Sequence, residues 1–230
     1  MKEWVVVSLG GSLIVPEGID TAFLRKFSRL IHGLIEDGYS FVLITGGGRT
    51  ARNYQNAAAS LTTVPAEDLD WLGIHATRLN AHLLRTIFRE EASPRIITNP
   101  RADPLPEPGE FRIVVGAGWR PGWSTDYDAA VVASRLGAKR IVNLSNVAYV
   151  YEEEPAQNSG AHRFEQMDWS ELRAIIGDDW SPGLNVPFDP VAAQLCQEKG
   201  LEVAILSADE LANVRNALEG KPFKGTLVRG

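Results

Sequence analysis

Residues 5–16 read VVVSLGGSLIVP, an apolar run that ends in a glycine pair. Val5, Val6 and Val7 are β-branched without polar alternation, which predicts a strand buried on both faces of a parallel sheet. Gly10 and Gly11 follow the strand and form a bare backbone loop, whose amides can approach an anion closely. Ligands of parallel α/β sheets bind at the carboxyl ends of the strands. The stretch therefore predicts a buried strand that ends in a ligand-binding loop, with Gly10 and Gly11 as backbone donors.

Strand and helix patterns alternate along the rest of the chain. Val- and Ile-rich runs predict strands at 4–9, 40–45, 95–98, 112–117, 140–145 and 202–207. Helical patterns follow Asp20, run from Asp189-Pro190 to Gly200, and cover 67–84 and 208–220. This order predicts the α/β class, as a three-layer α/β/α sandwich with a mainly parallel central sheet. Residues 99–110 predict an exposed loop, and residues 152–163 a flap or hairpin tip.

The pattern of residues 67–84 predicts a helix with two neighbouring stripes. The apolar stripe is the expected core face and consists of Leu69, Leu72, Ala76, Leu79, Leu83 and Ile87. The second stripe is small and polar, with Asp70, Gly73, Thr77 and Asn80. It is typical either of a ligand-binding surface or of a close helix–helix contact.

Composition restricts the function further. The 230 residues carry a formal charge of -6, which argues against binding nucleic acid or an anionic membrane. Cys196 is the single cysteine, so no intrachain disulfide can form, as expected in a reducing compartment. No stretch approaches the ~20 apolar residues of a membrane span. The four histidines and Cys196 show no metal-ligand spacing. We expect a cytoplasmic protein without a protein-bound metal.

Three glycine-rich segments follow predicted strands: SLGGS at 8–12, TGGGRTAR at 45–52 and GAGWRPGWSTD at 116–126. Each alone is typical of a tight turn or a helix start, but together at one sheet edge they predict a polyphosphate-binding site. Arg49 and Arg52 follow the triple glycine on one helix face and suit contact with a phosphate, although a solvated surface pair is the alternative. Neither the P-loop pattern nor a G-x-G-x-x-G pattern occurs.

In combination, several segments resemble the amino-acid kinase superfamily, most closely its uridylate (UMP) kinase branch of the archaeal type. They are LGGSLIVP, TGGGRTARNY, GIHATRLNAHLL, PGWSTDYDAAVVA, LSNVAYVYEEEP, DPVAAQ and GKPFKGTLV, and they span almost the whole chain. The resemblance implies the family's α/β/α fold in one domain, 1–230. Its part from about 1 to 120 would bind the phosphoryl acceptor, and its part from about 121 to 230 the nucleotide donor.

The resemblance also assigns roles to matching positions. Asp126, Gly10 and Gly11 would surround the transferred phosphoryl group, with Arg120 as a candidate cation. The residues expected to bind UMP are Gly46, Gly47, Gly48, Arg52, Asp70 and Thr125. Those expected to bind ATP are Ser12, Asn146, Tyr151 and Glu154. No protein ligand to a metal is implied, since Mg²⁺ would enter with the phosphates of ATP.

Three positions depart from the family pattern. Ser8 stands where many members carry a lysine, and Ala148 and Tyr149 replace an acid and a glycine. The resemblance implies transfer of the γ-phosphoryl group of ATP to UMP by a homo-oligomer, typically a hexamer. The departures keep two alternatives open: a nucleotide- or anion-binding member with weakened catalysis, or a kinase of another small acceptor.

Overall fold

The computed structural model describes residues 4–107, 109–153, 160–177 and 186–230. Its strands are β1 (Trp4–Leu9), β2 (Ser40–Thr45), β3 (Ile113–Gly116), β4 (Arg140–Ser145), β5 (Val150–Tyr151), β6 (Arg163–Phe164), β7 (Gln166–Met167), β8 (Glu202–Ser207) and β9 (Thr226–Val228). Its helices are α1 (Gly11–Ile14), α2 (Thr21–Glu36), α3 (Gly48–Leu61), α4 (Ala66–Ile87), α5 (Thr125–Leu136), α6 (Trp169–Ile176), α7 (Pro190–Lys199) and α8 (Leu211–Leu218).

Seven strands form the main sheet in the order β3-β2-β1-β4-β8-β9-β7. The first five are mutually parallel, and β9 runs antiparallel to β8. Leu9 pairs with Thr45 on one side and with Leu144 on the other, so the carboxyl ends of β1, β2 and β4 reach one edge together. The mainly parallel sheet is confirmed, with the glycine loops after β1 and β2 side by side.

Alternate residues of each strand enter separate hydrophobic cores on the two faces of the sheet. Val6 belongs to one core with residues of α5, α6 and α7, and Val7 to the other with residues of α2, α4 and α8. Successive side chains of a strand point to opposite faces, so two apolar cores and three layers result. The three-layer α/β/α sandwich is therefore confirmed.

Side-chain caps begin the helices where the sequence predicts. The Asp20 carboxylate accepts from the Phe23 amide at 2.8 Å, and the Asp189 carboxylate accepts from the Ala192 amide at 2.6 Å. Pro190 stands at the first turn of α7, and Gly200 ends the helix in the left-handed region with a φ of 63°. The caps satisfy amides that have no acceptor inside the helix.

Two local predictions are wrong. Residues 95–98 form no strand: only Ile97 bridges to β3, and the preceding Pro94 has no amide to donate to a ladder. On α4, Leu79 is 64% exposed, whereas Ile74, Thr77, Asn80 and Leu84 are buried. The polar stripe of α4 therefore faces the protein interior, where Thr77 and Asn80 form hydrogen bonds with the backbone of the glycine-rich segments.

The segment after β4 contains a short antiparallel hairpin, in which Val150 pairs with Phe164 and Tyr151 with Arg163. The hairpin predicted for residues 152–163 is confirmed at its base, while residues 154–159, including Glu154, lie outside the described residues. Among the helices of the described ranges, none has the length and apolar character needed to cross a bilayer.

Candidate functional site

The glycine loops after β1 and β2 pack backbone against backbone. A Cβ atom on Gly11 would lie 2.0 Å from the Gly48 amide nitrogen, and one on Gly46 would lie 2.5 Å from the Gly11 nitrogen. Gly48 also has a φ of 63°, in the left-handed region that favours glycine. These glycines are thus required for the close approach of two loops, beyond any contact with a ligand.

The backbone amides of these loops divide into engaged and available groups. The Gly10 amide donates to Leu144 O at 2.8 Å, and the Gly46 amide donates to Leu9 O at 2.9 Å. The expectation of Gly10 as a backbone donor to a ligand is therefore wrong, because the sheet edge already uses this hydrogen. Within the described part of the chain, the amides of Gly47 and Gly48 have no acceptor. They lie at the N-terminus of α3, where the helix dipole attracts an anion.

Arg52 connects the two loops. Its guanidinium donates to the Ser12 hydroxyl at 3.3 Å, so a cation from the second turn of α3 lies beside the loop after β1. Arg49 instead pairs with exposed Glu17 at 3.4 Å. Of the two predicted arginines, Arg52 contacts the loop after β1 through Ser12, whereas Arg49 pairs with Glu17.

The polar stripe of α4 anchors the third glycine loop, residues 117–124. The Gly118 amide donates to the Thr77 hydroxyl at 2.8 Å, and the Arg78 guanidinium donates to Gly118 O and Trp119 O. The Gly122 amide donates to the Asp70 carboxylate at 2.9 Å. Burial raises the pKa of Asp70, and the Gly122 hydrogen bond opposes the shift.

Asn80 extends this anchoring to the second loop, since its amide group donates to Gly46 O at 2.8 Å and Gly47 O at 3.3 Å. The polar stripe of α4 thus binds loop backbone, and Asp70 uses one of its two carboxylate oxygens for this contact. The predicted alternative of a helix–helix contact also holds in part, because Gln55 of α3 packs 3.1 Å from where a Gly73 Cβ would lie.

Asp126, in the first turn of α5, lies among buried polar groups from β1 and α7. Its carboxylate accepts from the Ser8 hydroxyl at 2.7 Å and from the Asp189 amide at 3.3 Å. Desolvation raises the pKa of Asp126 to about 6, the charge of Asp189 adds to the rise, and the Ser8 and Asp189 hydrogen bonds oppose it. The pKa values of Asp128 and Asp189 are also raised, chiefly by burial. The site thus contains three coupled carboxyl groups.

Aromatic side chains cover the outer part of the third loop. The Trp119 and Trp123 rings are 6.0 Å apart, and the Arg120 guanidinium lies 4.2 Å from the Trp119 ring centre. Both tryptophans pack against the core, so they stabilise the loop. Arg120 is exposed on this aromatic surface, and its predicted role as the active-site cation stays a prediction.

A cavity of about 530 Å³ lies beside the β5–β6 hairpin. Among the residues that line it are Asn146, Ala148, Tyr149, Tyr151 and Ile176. Of the three predicted ATP-binding residues in the described chain, Asn146 and Tyr151 line this cavity and Ser12 does not. Tyr149 packs edge-on against Tyr151, and its ring lies 4.6 Å from the Arg163 guanidinium. The tyrosine in place of the family's glycine forms part of the cavity wall.

Sequence reasoning missed several contributors to the site: Arg78, Asn80, Asp128 and Asp189 are buried or half-buried and hold loops or carboxylates in place. The signal for Asn80 was present in the polar stripe of α4. For Asp189 the sequence predicts only a helix start, because a capping pattern does not show what else the carboxylate contacts.

The fold is a mainly parallel α/β/α sandwich, and its glycine loops, Arg52 and the aspartates meet at one edge of the sheet. This combination is typical of the class of phosphate-binding α/β proteins. The model of the amino acid kinase family matches residues 3–207. The chain belongs to this family.

Curated relatives extend over nearly the whole chain. The uridylate kinase of Thermoplasma volcanium is 34% identical over 99% of this chain and 98% of its own length. That of Methanospirillum hungatei is 35% identical, over 97% and 94%. Among solved structures, uridylate kinase from Archaeoglobus fulgidus has a TM-score of 0.79 at 28% identity, with 97% of this chain and 99% of that chain covered. UMP kinase from Bacillus anthracis, with a TM-score of 0.80 at 19% identity over 99% and 96%, is similar in fold.

Proposed function

We propose that this protein is a UMP kinase that transfers the γ-phosphoryl group of ATP to UMP, giving ADP and UDP. The observation that carries the proposal is the position of Arg52, which lies against Ser12 where the two glycine loops meet. Beside it are the amides of Gly47 and Gly48, which have no acceptor among the described residues. A guanidinium and helix N-terminal amides together suit a phosphate monoester dianion. The uridylate kinases among the relatives make UMP the expected acceptor.

The acceptor contacts follow from this placement. Arg52 and the loop Gly46–Gly48 bind the phosphate of UMP, and the second carboxylate oxygen of Asp70 accepts from the ribose hydroxyls. Asp70 is suited to this role because Gly122 holds its other oxygen and so fixes the carboxylate. Thr125, the first residue of α5, is the remaining proposed contact to UMP.

The donor occupies the other half of the edge. In this proposal ATP binds in the cavity beside the β5–β6 hairpin, near Asn146 and Tyr151. The role of Ser12 beside the ATP phosphates rests on the family resemblance. Glu154 retains its proposed role from the family resemblance alone. In this arrangement residues 1–120 bind chiefly the acceptor and residues 121–230 chiefly the donor.

Mg²⁺ accompanies ATP in the proposed reaction. Among the described residues, no three His, Cys, Asp or Glu side chains are close enough to share a metal ion. This donor set fits an ion that is carried by the substrate phosphates, as Mg²⁺ commonly is. When bound, Mg²⁺ neutralises charge on the phosphates during transfer.

The protein's own contribution is positioning, since an ionised phosphate is already a nucleophile and needs no proton removed. Arg52 and the α3 amides hold the attacking phosphate, and Gly11 lets the loop after β1 pack directly against the loop that carries these amides. Asp126 orders the reacting centre between the two substrates. Orientation of two reactants alone accelerates a reaction by many orders of magnitude.

Weakened catalysis is the second candidate function. It is favoured by Ser8, which contributes a hydroxyl to Asp126 where a lysine would contribute a charge. A nucleotide-binding protein with slow transfer would retain the same cavity and loops.

The test is a coupled assay of ADP release with ATP and UMP, CMP or acetylglutamate as acceptor. We expect turnover with UMP, and an increase of at least tenfold in KM for UMP in Arg52→Ala. Arg49→Ala is the matched control, because Arg49 faces Glu17, and its KM should remain within about threefold of the wild-type value. Binding without turnover would support the second candidate, and turnover only with acetylglutamate would contradict UMP as the acceptor.

We further propose that the active form is a cytoplasmic homo-oligomer, a hexamer as in the resembling kinases. Light scattering coupled to size-exclusion chromatography measures the assembly directly, and a monomeric mass at assay concentration would contradict it.

A further inference from the structure

Ser8 lies near the carboxyl end of β1, the third of the seven strands in the sheet. It pairs with Ile44 of β2 and Asn143 of β4, and it is buried. Alternation along β1 directs Ser8 to the face of Val6, which α5 and α7 cover. Asp126 lies in the first turn of α5, and the amide of Asp189, the N-cap of α7, donates to the Asp126 carboxylate.

The two carboxylate oxygens of Asp126 have different donors. The Ser8 hydroxyl donates to Oδ1 at 2.7 Å, and the Asp189 amide donates to Oδ2 at 3.3 Å. In the described part of the chain, no lysine or arginine forms an ion pair with Asp126. The hydroxyl therefore makes the shorter of the two contacts that orient this carboxyl group.

We propose that Ser8 is a positioning residue of the transfer site, whose hydroxyl holds the Asp126 carboxylate in one orientation together with the Asp189 amide. The effect of this contact on catalysis rests on the proposed function, whereas the contact itself does not. A lysine at this position could orient the aspartate and also contribute a positive charge. The Ser8 hydroxyl orients the aspartate but contributes no charge. The negative charge of the substrate phosphates then has to be balanced by Arg52 and the helix amides.

The charges around Asp126 come from several elements, and they predict opposite effects for two variants. The charge of Asp189, at the start of α7, raises the pKa of Asp126, and the Ser8 hydrogen bond lowers it. Burial raises the pKa values of Asp128 on α5 and of the Cys196 thiol on α7, and the charges of Asp126 and Asp189 raise both further. The charge of Arg78 on α4 lowers the pKa of Asp128. Removing the Ser8 hydroxyl should raise the pKa of Asp126, whereas removing the charge of Asp189 should lower it.

The experiment measures the titration of the Asp126 carboxyl carbon by NMR in the unliganded protein, and the acidic limb of kcat/KM for UMP. For Ser8→Ala we expect both to move upward by about one pH unit, the size expected for a lost hydrogen bond to a charged group. For Asp189→Asn, which keeps the helix cap and the amide, we expect both to move downward. Ser8→Thr should retain the wild-type values.

Ser28→Ala is the matched control, because the Ser28 hydroxyl lies on α2 and donates to Arg25 O. A phosphate monoester itself ionises near pH 6, so the readout is the difference between proteins assayed with the same substrate. The proposal is overturned if Ser8→Ala leaves the Asp126 titration within about 0.2 unit of wild type, or if both variants shift it the same way. If no acceptor turns over, the proposed function fails, and the NMR titration still decides the contact between Ser8 and Asp126.

Discussion

Replacing Gly11 with alanine tests whether the glycines after β1 serve the packing of the two loops. The new Cβ would lie 2.0 Å from the Gly48 nitrogen and 2.6 Å from both the Gly46 carbonyl carbon and the Gly47 nitrogen. Normal contact begins near 3.4 Å, so the loops must separate by about 1.4 Å, and no rotation of a side chain can provide this space. We expect a loss of about 3 kcal/mol in the free energy of unfolding, at the upper end for overpacking.

Urea unfolding measures this loss, and calorimetric titration with UMP measures its consequence for the site. Separated loops misplace Arg52 against Ser12, so UMP affinity should fall at least tenfold. Gly18→Ala is the control, since nothing lies within 4 Å of its Cβ position, and it should be neutral or slightly stabilising. Equal stability and affinity of the two variants would refute the argument that the loops require glycine for close contact.

Three further predictions address the rest of the structure. The raised pKa of Asp126 means that the folded state retains its proton more tightly than the unfolded chain, so stability falls as the pH rises from about 4 to about 6. Asp126→Asn removes this penalty and should raise the free energy of unfolding at pH 7 by about 1–3 kcal/mol, with a flatter dependence of Tm on pH. Leu84→Ala should cost about 2–5 kcal/mol, while Leu79→Ala should change stability by less than about 0.5 kcal/mol, because only Leu84 is buried. Thr77→Val leaves the Gly118 amide without its acceptor, so it should cost about 1–3 kcal/mol and weaken UMP binding.

Each outcome has a contrary result that is equally measurable. An unchanged pH dependence of Tm in Asp126→Asn would show that this carboxyl group titrates normally in the folded protein. Equal losses for Leu79→Ala and Leu84→Ala would place both residues in the core, and an unaltered UMP affinity in Thr77→Val would mean that loop 117–124 needs no anchoring by α4.

Much of the fold was predictable because its signals are local. The Val-rich run of β1 and the caps at Asp20 and Asp189 depend on residues close in sequence, and the structure places strand and helices accordingly. The failures involve the orientation of an element relative to its neighbours. Helical spacing predicts Leu79 as a core residue. In the structure Thr77 and Asn80 face inward instead, because the loop backbones that they bind lie on that side of α4.

The sequence by itself determined the parallel α/β architecture and the glycine-rich loops, since apolar patterning and glycine content need only near neighbours. Only the tertiary structure decided which groups of the site are free. Gly10 proved engaged with Leu144, Arg52 faced Ser12 while Arg49 faced Glu17, and Ser8 met Asp126 from 118 residues away. Such contacts join segments that are distant along the chain, so their partners are set by how the strands and helices pack and not by the residues beside them.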